Sequence, residues 1–259
     1  MSHRKARTSE GPRTGAAEAR GGSAVAAYRA VLRAAVLITV LAPPAHASQS
    51  PAFCGAARGG NGGRSSLALF TLKPRDEASQ RPDFVTFRSR LKAIVARRDT
   101  AGLMKVVDPN VGVAFDGARG LDAFTERHLR NPKEDFWQEF GDVLANGGSF
   151  RTAQAFDAPY TFSAWPDGLD AFQCMAIVGA GINIRTAPRL DAPTAAVVDF
   201  AIVEWQSTER PVEGWELVTL ADGRQGYVAT RYLRSPLGYR ATFAFKNGQW
   251  WIAAFVVGD

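Results

Sequence analysis

The sequence is poor in the side chains on which many catalytic and metal sites depend. Its 259 residues include two cysteines and three histidines, and His3 and His46 lie in the first 47 residues. His128 is therefore the one histidine of the remaining chain. Catalytic zinc sites commonly use two or three histidines, so a histidine-rich zinc hydrolase is excluded. The G-x-S-x-G and phosphate-loop motifs are also missing. We predict no catalytic residues, no metal site and no cofactor.

An excess of positive charge is missing from most of the chain, although the whole sequence has a net charge of +6. Residues 1–47 hold seven of the 31 Lys and Arg but only two of the 25 Asp and Glu, which leaves 24 basic and 23 acidic groups. Binding to nucleic acid or to an anionic membrane surface needs a basic patch. The sequence therefore predicts no nucleic-acid partner.

Long apolar runs are missing as well. The run at residues 34–42 has nine residues, whereas a transmembrane helix needs about 20, so we predict no transmembrane anchor. Arg29 and Arg33 precede the run, and Pro43-Pro44 and an A-x-A cleavage signal at 45–47 follow it. This pattern is typical of a secretory signal peptide, and a short buried helix is the alternative. We expect a leader over 1–47 and an exported protein, periplasmic or secreted.

The two cysteines, Cys54 and Cys174, both lie in the part of the chain that we expect to be exported. Disulfides form and persist outside the cytoplasm, so a bond between the two cysteines is one possibility. Two buried free thiols are the other, because geometry decides and the sequence does not show it.

The rest of the chain divides by composition. Residues 48–81 are rich in Gly, Ser, Pro and Arg and are expected to form a flexible lead-in. Residues 82–146 show helical periodicity with one strand at 111–115. From 175 onward the chain has short strands separated by turns, including an Asp222-Gly223 turn.

Residues 175–234 resemble the bacterial SH3 (SH3b) class of domain. Four motifs carry the resemblance, in order: INIRTAP at 182–188, WELV at 215–218, DGRQGYV at 222–228 and YL at 232–233. Tyr227 stands where Trp is commoner in the family, and the Pro-containing stretch 206–214 is longer than usual. The resemblance implies a small five-stranded barrel that binds peptides or cell-wall peptide stems without catalysis.

Three residues of this segment are predicted to bind the ligand. Arg185 follows an alternating strand and is expected to pair with an Asp or Glu across the barrel. Tyr227 and Tyr232 are the groove residues, because an aromatic ring with an exposed edge can hold an extended peptide. Trp215 is expected to pack in the core instead.

A terminal hairpin around Asn247-Gly248 follows the SH3b-like segment. Pairing outward from this turn places Phe245 opposite Trp250, Phe243 opposite Ile252 and Ala241 opposite Ala254. These residues then share one apolar face that must be buried, and Arg240 lies on the other side.

Because a barrel is complete by Leu233, the hairpin needs another partner. We predict an α+β fold in which residues 82–174 and 235–259 form one helical and antiparallel-sheet domain, with the SH3-like barrel of 175–234 inserted. By the order of its elements alone, the α+β part resembles NTF2-like (cystatin-like) cones. The alternative is two consecutive domains with the hairpin packed between them.

Three functional hypotheses follow. In the first, the protein is an exported non-enzymatic binding protein whose SH3-like module recognises a cell-wall peptide or a protein peptide segment. In the second, an NTF2-like pocket with Asp116, Asp122 and His128 binds a small molecule or catalyses a reaction. In the third, the barrel has a purely structural role. The poverty of catalytic groups favours the first.

Overall fold

The computed structural model describes residues 53–55, 70–132 and 135–258. The predicted leader (1–47) and most of the lead-in lie outside these residues. The described chain has a mixed α+β fold with two sheets. No helix in the described ranges is both long enough and apolar enough to span a membrane.

The elements follow in chain order. The helices are α1 (Pro82–Ala96), α2 (Thr100–Met104), α3 (Leu121–Phe124, continued by a π-helical turn over Thr125–Leu129), α4 (Phe136–Ala145) and α5 (Tyr160–Ser163). The strands are β1 (Val107–Gly112), β2 (Ser149–Thr152), β3 (Ala155–Ala158), β4 (Cys174–Ile177), β5 (Ile182–Arg185), β6 (Thr194–Val198), β7 (Ile202–Gln206), β8 (Trp215–Thr219), β9 (Gln225–Ala229), β10 (Leu233–Arg234), β11 (Arg240–Lys246) and β12 (Gln249–Val256).

The first sheet has the strand order β1-β12-β11-β3-β2. Strand β1 runs parallel to β12, and the other pairs are antiparallel. Helix α1 begins at Pro82, a residue suited to the first helical position because that N–H has no partner within the helix. Its Phe84 ring packs 4.4 Å from Phe156 and 5.6 Å from Phe243, centroid to centroid. Aromatic side chains therefore join α1 to the sheet.

The second sheet has the order β10-β4-β7-β8-β9-β5-β6, and all its pairs are antiparallel. Its strands come from residues 174–234, so the chain leaves the first sheet after β3 and returns to it at β11. This sheet has its own apolar cluster of mainly aliphatic residues, including Ile177, Ile184, Val203, Val218 and Val228.

The register of the terminal hairpin differs in part from the prediction. Phe245 pairs with Trp250 and Phe243 with Ile252, as predicted, but Ala241 pairs with Phe255. The prediction of Ala241 opposite Ala254 was wrong because a β-bulge shifts the register between Thr242 and Phe243. The shift turns Phe255 into the core.

Arg240, predicted on the side of the hairpin opposite the apolar face, is buried and only 6% exposed. Its Nη2 donates to the Gly258 carbonyl oxygen at 2.6 Å. Its guanidinium carbon lies 4.8 Å from the Phe115 ring centroid and 5.0 Å from that of Phe162. Arg240 therefore connects the start of β11 with Gly258, Phe115 and Phe162.

The two sheets belong to one compact unit, Ser48–Asp259. A third apolar cluster lies beside the second sheet, where Phe53 and Leu72 pack with Tyr160, Cys174 and Ile202. The lead-in is therefore not flexible at Phe53 and Leu72, which are buried. In addition, Nη2 of Arg234 lies 2.6 Å from Oδ2 of Asp142, which links β10 to α4.

The two cysteines form a disulfide in the structure. Cys54 and Cys174 have Cα atoms 5.6 Å apart, and both side chains are buried. The bond ties the N-terminal segment to the first residue of β4.

Candidate functional site

A small cleft in the second sheet gathers two of the three predicted ligand-binding residues. Its volume is about 100 Å³. Strand β5, the loop after it, the start of β8 and the turn after β9 supply its walls. The lining residues are Gly181, Ile182, Asn183, Arg185, Leu190, Trp215, Ala229, Arg231 and Tyr232. We call this feature the Arg185–Tyr232 cleft.

Strand alternation brings Arg185 to the cleft. Ile182 and Ile184 point into the core of the sheet and are buried, so Asn183 and Arg185 lie on the other face. Nη1 of Arg185 donates to the Ala192 carbonyl oxygen at 2.7 Å. The expected ion pair of Arg185 with an Asp or Glu does not form among the described residues. The bond to Ala192 instead fixes the loop between β5 and β6.

Tyr232 lies in the 3₁₀ turn Thr230–Tyr232 that follows β9. The Arg231 guanidinium carbon is 4.7 Å from the centroid of the Tyr232 ring, and Arg231 Nη2 donates to the Tyr232 hydroxyl at 3.2 Å. The ring also packs partly against the core of the second sheet. Tyr232 is thus a half-buried ring held in place on both sides, with one part facing the cleft.

Tyr227 is not part of this cleft. It is half-buried on β9, where it pairs with Arg185 of β5 and with Leu217 of β8. Residues directly opposite each other in a sheet share a face. Tyr227 is therefore a neighbour of Arg185, but it does not line the cleft.

Trp215 is a cleft residue that the sequence analysis assigned to the core. It is half-buried at the start of β8, whereas Val218 is fully buried. A signal for this position existed, because residues three apart in a strand lie on opposite faces. The W-x-x-V spacing with a buried Val218 therefore places Trp215 on the outer face.

The second predicted site, formed by Asp116, Asp122 and His128, combines one buried residue with two exposed ones. His128 is buried in the π-helical turn, and its Nε2 lies 3.0 Å from the Phe255 carbonyl oxygen. A carbonyl oxygen accepts, so Nε2 carries the proton that it donates. Asp116 and Asp122 are exposed, and Oδ1 of Asp116 accepts from the Ala118 N–H at 2.9 Å.

Aromatic rings surround His128. The ring centroids of Phe255 and Phe124 lie 5.0 and 5.2 Å from that of the imidazole. A cleft of about 410 Å³ reaches the edge of this cluster and is lined in part by Arg98, His128 and Asp135. Within the described ranges, no group of three His, Cys, Asp or Glu is placed to hold a metal ion.

Asp83 is the carboxylate with a strongly shifted pKa. Arg81 Nε and Nη2 donate to its two oxygens at 2.9 and 2.6 Å, and Trp250 Nε1 donates at 3.0 Å. The hydrogen bonds from Arg81 and then from Trp250 lower the pKa of Asp83 from 3.8 to about 2. Arg81 also stacks 5.5 Å from the Trp250 ring centroid. This cluster joins the start of α1 to the terminal hairpin.

Comparison with known proteins identifies no relative. No family model matches the chain, and no curated protein or solved structure is significantly similar to it. The geometry of the clefts and the residue patterns of the sequence therefore carry the functional argument.

Proposed function

We propose that the protein is an exported, non-enzymatic binding protein that recognises peptidoglycan or an extended peptide through the Arg185–Tyr232 cleft. In this proposal the second sheet is an SH3b-like barrel inserted into an α+β domain that resembles NTF2-like cones. The family-like motifs at 182–188, 215–218, 222–228 and 232–233 support the first assignment. The element order of the first sheet and its helices supports the second.

One observation carries the proposal. Trp215 and Tyr232 both line a cleft that also contains guanidinium and amide groups from Arg185, Arg231 and Asn183. Aromatic rings that offer one face or edge suit an extended peptide, and polar groups beside them suit its backbone.

Export is supported by the residue pattern of the leader and by the disulfide. The apolar run at 34–42, its two preceding arginines and the A-x-A signal form a signal-peptide pattern. The Cys54–Cys174 bond suits a compartment that is oxidising.

Co-sedimentation with purified cell-wall sacculi tests the proposal. We expect the protein to pellet with sacculi and the Tyr232→Ala variant to lose binding. Tyr227→Ala is the matched control, because it removes a half-buried tyrosine of the same sheet that does not line the cleft. Thermal melts establish that both variants are folded. Equal binding by the two variants would contradict the proposed site, and no binding by the wild type would remove the wall-binding role.

A second candidate is a small-molecule or enzymatic site beside His128. The observation that favours it is the cleft of about 410 Å³, which falls within the range of roughly 300–1,000 Å³ typical of ligand pockets. In this reading the SH3b-like barrel is a structural accessory. Under this candidate, a folded His128→Gln variant would lose the binding or conversion of the small molecule. Under the first candidate, the same variant would still bind sacculi.

A further inference from the structure

The Arg185–Tyr232 cleft has a marked charge asymmetry. It is lined by two arginines and by no Asp or Glu. Arg189 and Arg224, in the connections between strands of the same sheet, each form an ion pair with an aspartate two residues away. Among the described residues, neither Arg185 nor Arg231 forms an ion pair.

Each of the two guanidinium groups has a neutral hydrogen-bond partner, and Asp191, which pairs with Arg189, adds a negative charge near Arg185. Arg185 donates through Nη1 to the carbonyl oxygen of Ala192, and Arg231 stacks on the Tyr232 ring and donates through Nη2 to its hydroxyl. A guanidinium carries five N–H donors, and each of these hydrogen bonds uses one. Because Asp191 is shared with Arg189, the two cleft arginines keep an excess of positive charge, and a carboxylate matches the planar fork of donors of a guanidinium.

The size of the cleft limits what can enter it. A volume of about 100 Å³ is well below the roughly 300–1,000 Å³ of a site that encloses a small molecule. A single side chain or a chain terminus is enough to fill such a space. Trp215 and the exposed Leu190 offer apolar contact beside the charged groups.

We infer that the cleft holds its peptide ligand by a carboxylate group. In the cell wall such carboxylates belong to the peptide stem, the ligand that the SH3b resemblance implies. This inference rests on the proposed function of the cleft. Charge-assisted hydrogen bonds from Arg185 and Arg231 bind the carboxylate, while Trp215 and Tyr232 contact the adjoining chain.

Chemically amidated sacculi test this inference. Treatment with ammonium and a carbodiimide converts the stem carboxylates into neutral amides and leaves the glycan unchanged. We expect amidation to weaken binding of the purified protein by at least about tenfold, and binding to untreated sacculi to weaken as salt is raised. Equal binding to both preparations would overturn the carboxylate inference and leave the proposed function standing. Absence of binding to untreated sacculi would defeat both.

Two variants with the same charge change identify the residues. Arg231→Gln should weaken binding by about tenfold, because it removes one guanidinium group and its charge-assisted hydrogen bonds from the cleft. Arg127→Gln removes an exposed arginine near α3, outside the cleft, and should bind like the wild type. Equal weakening by both variants would show a general charge effect and contradict the inference. Short peptides with a free carboxylate and their amides, compared in the same assay, decide whether protein segments are bound in the same way.

Discussion

Asp83 lies where the first turn of α1 meets the terminal hairpin, and its ionised form is stabilised there. Arg81 and Trp250 donate to the carboxylate and lower its pKa from 3.8 to about 2. Because the pKa is lower in the folded chain than in the unfolded chain, this group stabilises the fold above about pH 4. The contribution is lost as the pH falls towards 2. The Asp83 side chain is 42% exposed, so solvent screening keeps the effect small.

We therefore predict that Asp83→Asn lowers stability at pH 7 and reduces the loss of stability between pH 4 and pH 2. Urea denaturation at a series of pH values measures both effects. Asp122→Asn, which changes an exposed carboxylate of α3, is the control. Parallel stability curves for wild type and Asp83→Asn over this pH interval would contradict the account.

At the residue scale, the sequence predicted two members of the cleft, Arg185 and Tyr232, and missed Trp215 and Arg231. Motif spacing was enough for Tyr232. Trp215 was missed because a large aromatic residue was assigned by its hydrophobicity and not by its position in the strand. The position of Arg231 depends on a 3₁₀ turn after β9, and no periodic pattern in the sequence predicts this turn.

At the scale of elements, the walls of the cleft depend on the close pairing of β9 with β5. A Cβ atom at Gly226 would lie 2.6 Å from Cγ2 of Ile184 and 2.8 Å from the carbonyl oxygen of Arg185. Both distances are too short for real contacts. The absence of a side chain at this position thus allows the two strands to approach.

We predict that Gly226→Ala destabilises the protein by about 1–3 kcal/mol, as overpacking does elsewhere. Gly141→Ala is the matched control. Gly141 lies inside α4, where a Cβ would meet only an ordinary contact at 3.6 Å from Val95 Cγ1. Alanine should stabilise that helix by about 0.5–1 kcal/mol. We expect the two variants to change the free energy of unfolding, measured by urea denaturation, in opposite directions. Equal changes would contradict the close packing of β9 against β5.

The terminal hairpin shows how far an element could be predicted. The Asn247-Gly248 turn fixes the first pairs, and the alternation of aromatic residues fixes the inner face near the turn. The bulge was not predictable, because Ala253 and Ala254 are small enough to occupy either face. The burial of Arg240 involves contacts with Phe115 and Phe162, which are distant in sequence.

At the scale of the whole molecule, the disulfide connects the N-terminal segment with β4 across 120 residues of sequence. A crosslink of this span restricts the unfolded chain, and the chain-entropy model values that restriction at roughly 4–5 kcal/mol. Tyr160 and Ile202 pack around the same cysteines. The bond therefore stabilises the region where the lead-in meets the second sheet.

We predict that the double variant Cys54→Ser/Cys174→Ser unfolds at a lower urea concentration than the wild type. Reductant should shift the wild-type transition in the same direction and leave the variant unchanged. The midpoint of each transition measures the effect. A wild-type transition that reductant does not move would contradict a stabilising disulfide.

The mixed α+β character of the whole chain was predictable from the change of periodicity along the sequence, and the structure confirms it. The contacts between its parts were not predictable. Arg234 with Asp142, and Phe53 with Ile202, are pairs that only the tertiary fold brings together. The leader lies outside the described residues and stays a prediction.

Hydrogen exchange measured with and without soluble peptidoglycan fragments tests the central claim most directly, because it reports which part of the full chain meets the ligand. We predict slower exchange of backbone amides in residues 181–190 and 229–233, the two segments that contain most of the residues lining the Arg185–Tyr232 cleft. The amides of residues 127–132, next to His128, should be unaffected. Protection confined to the region of His128, or no protection at saturating fragment concentration, would contradict the account.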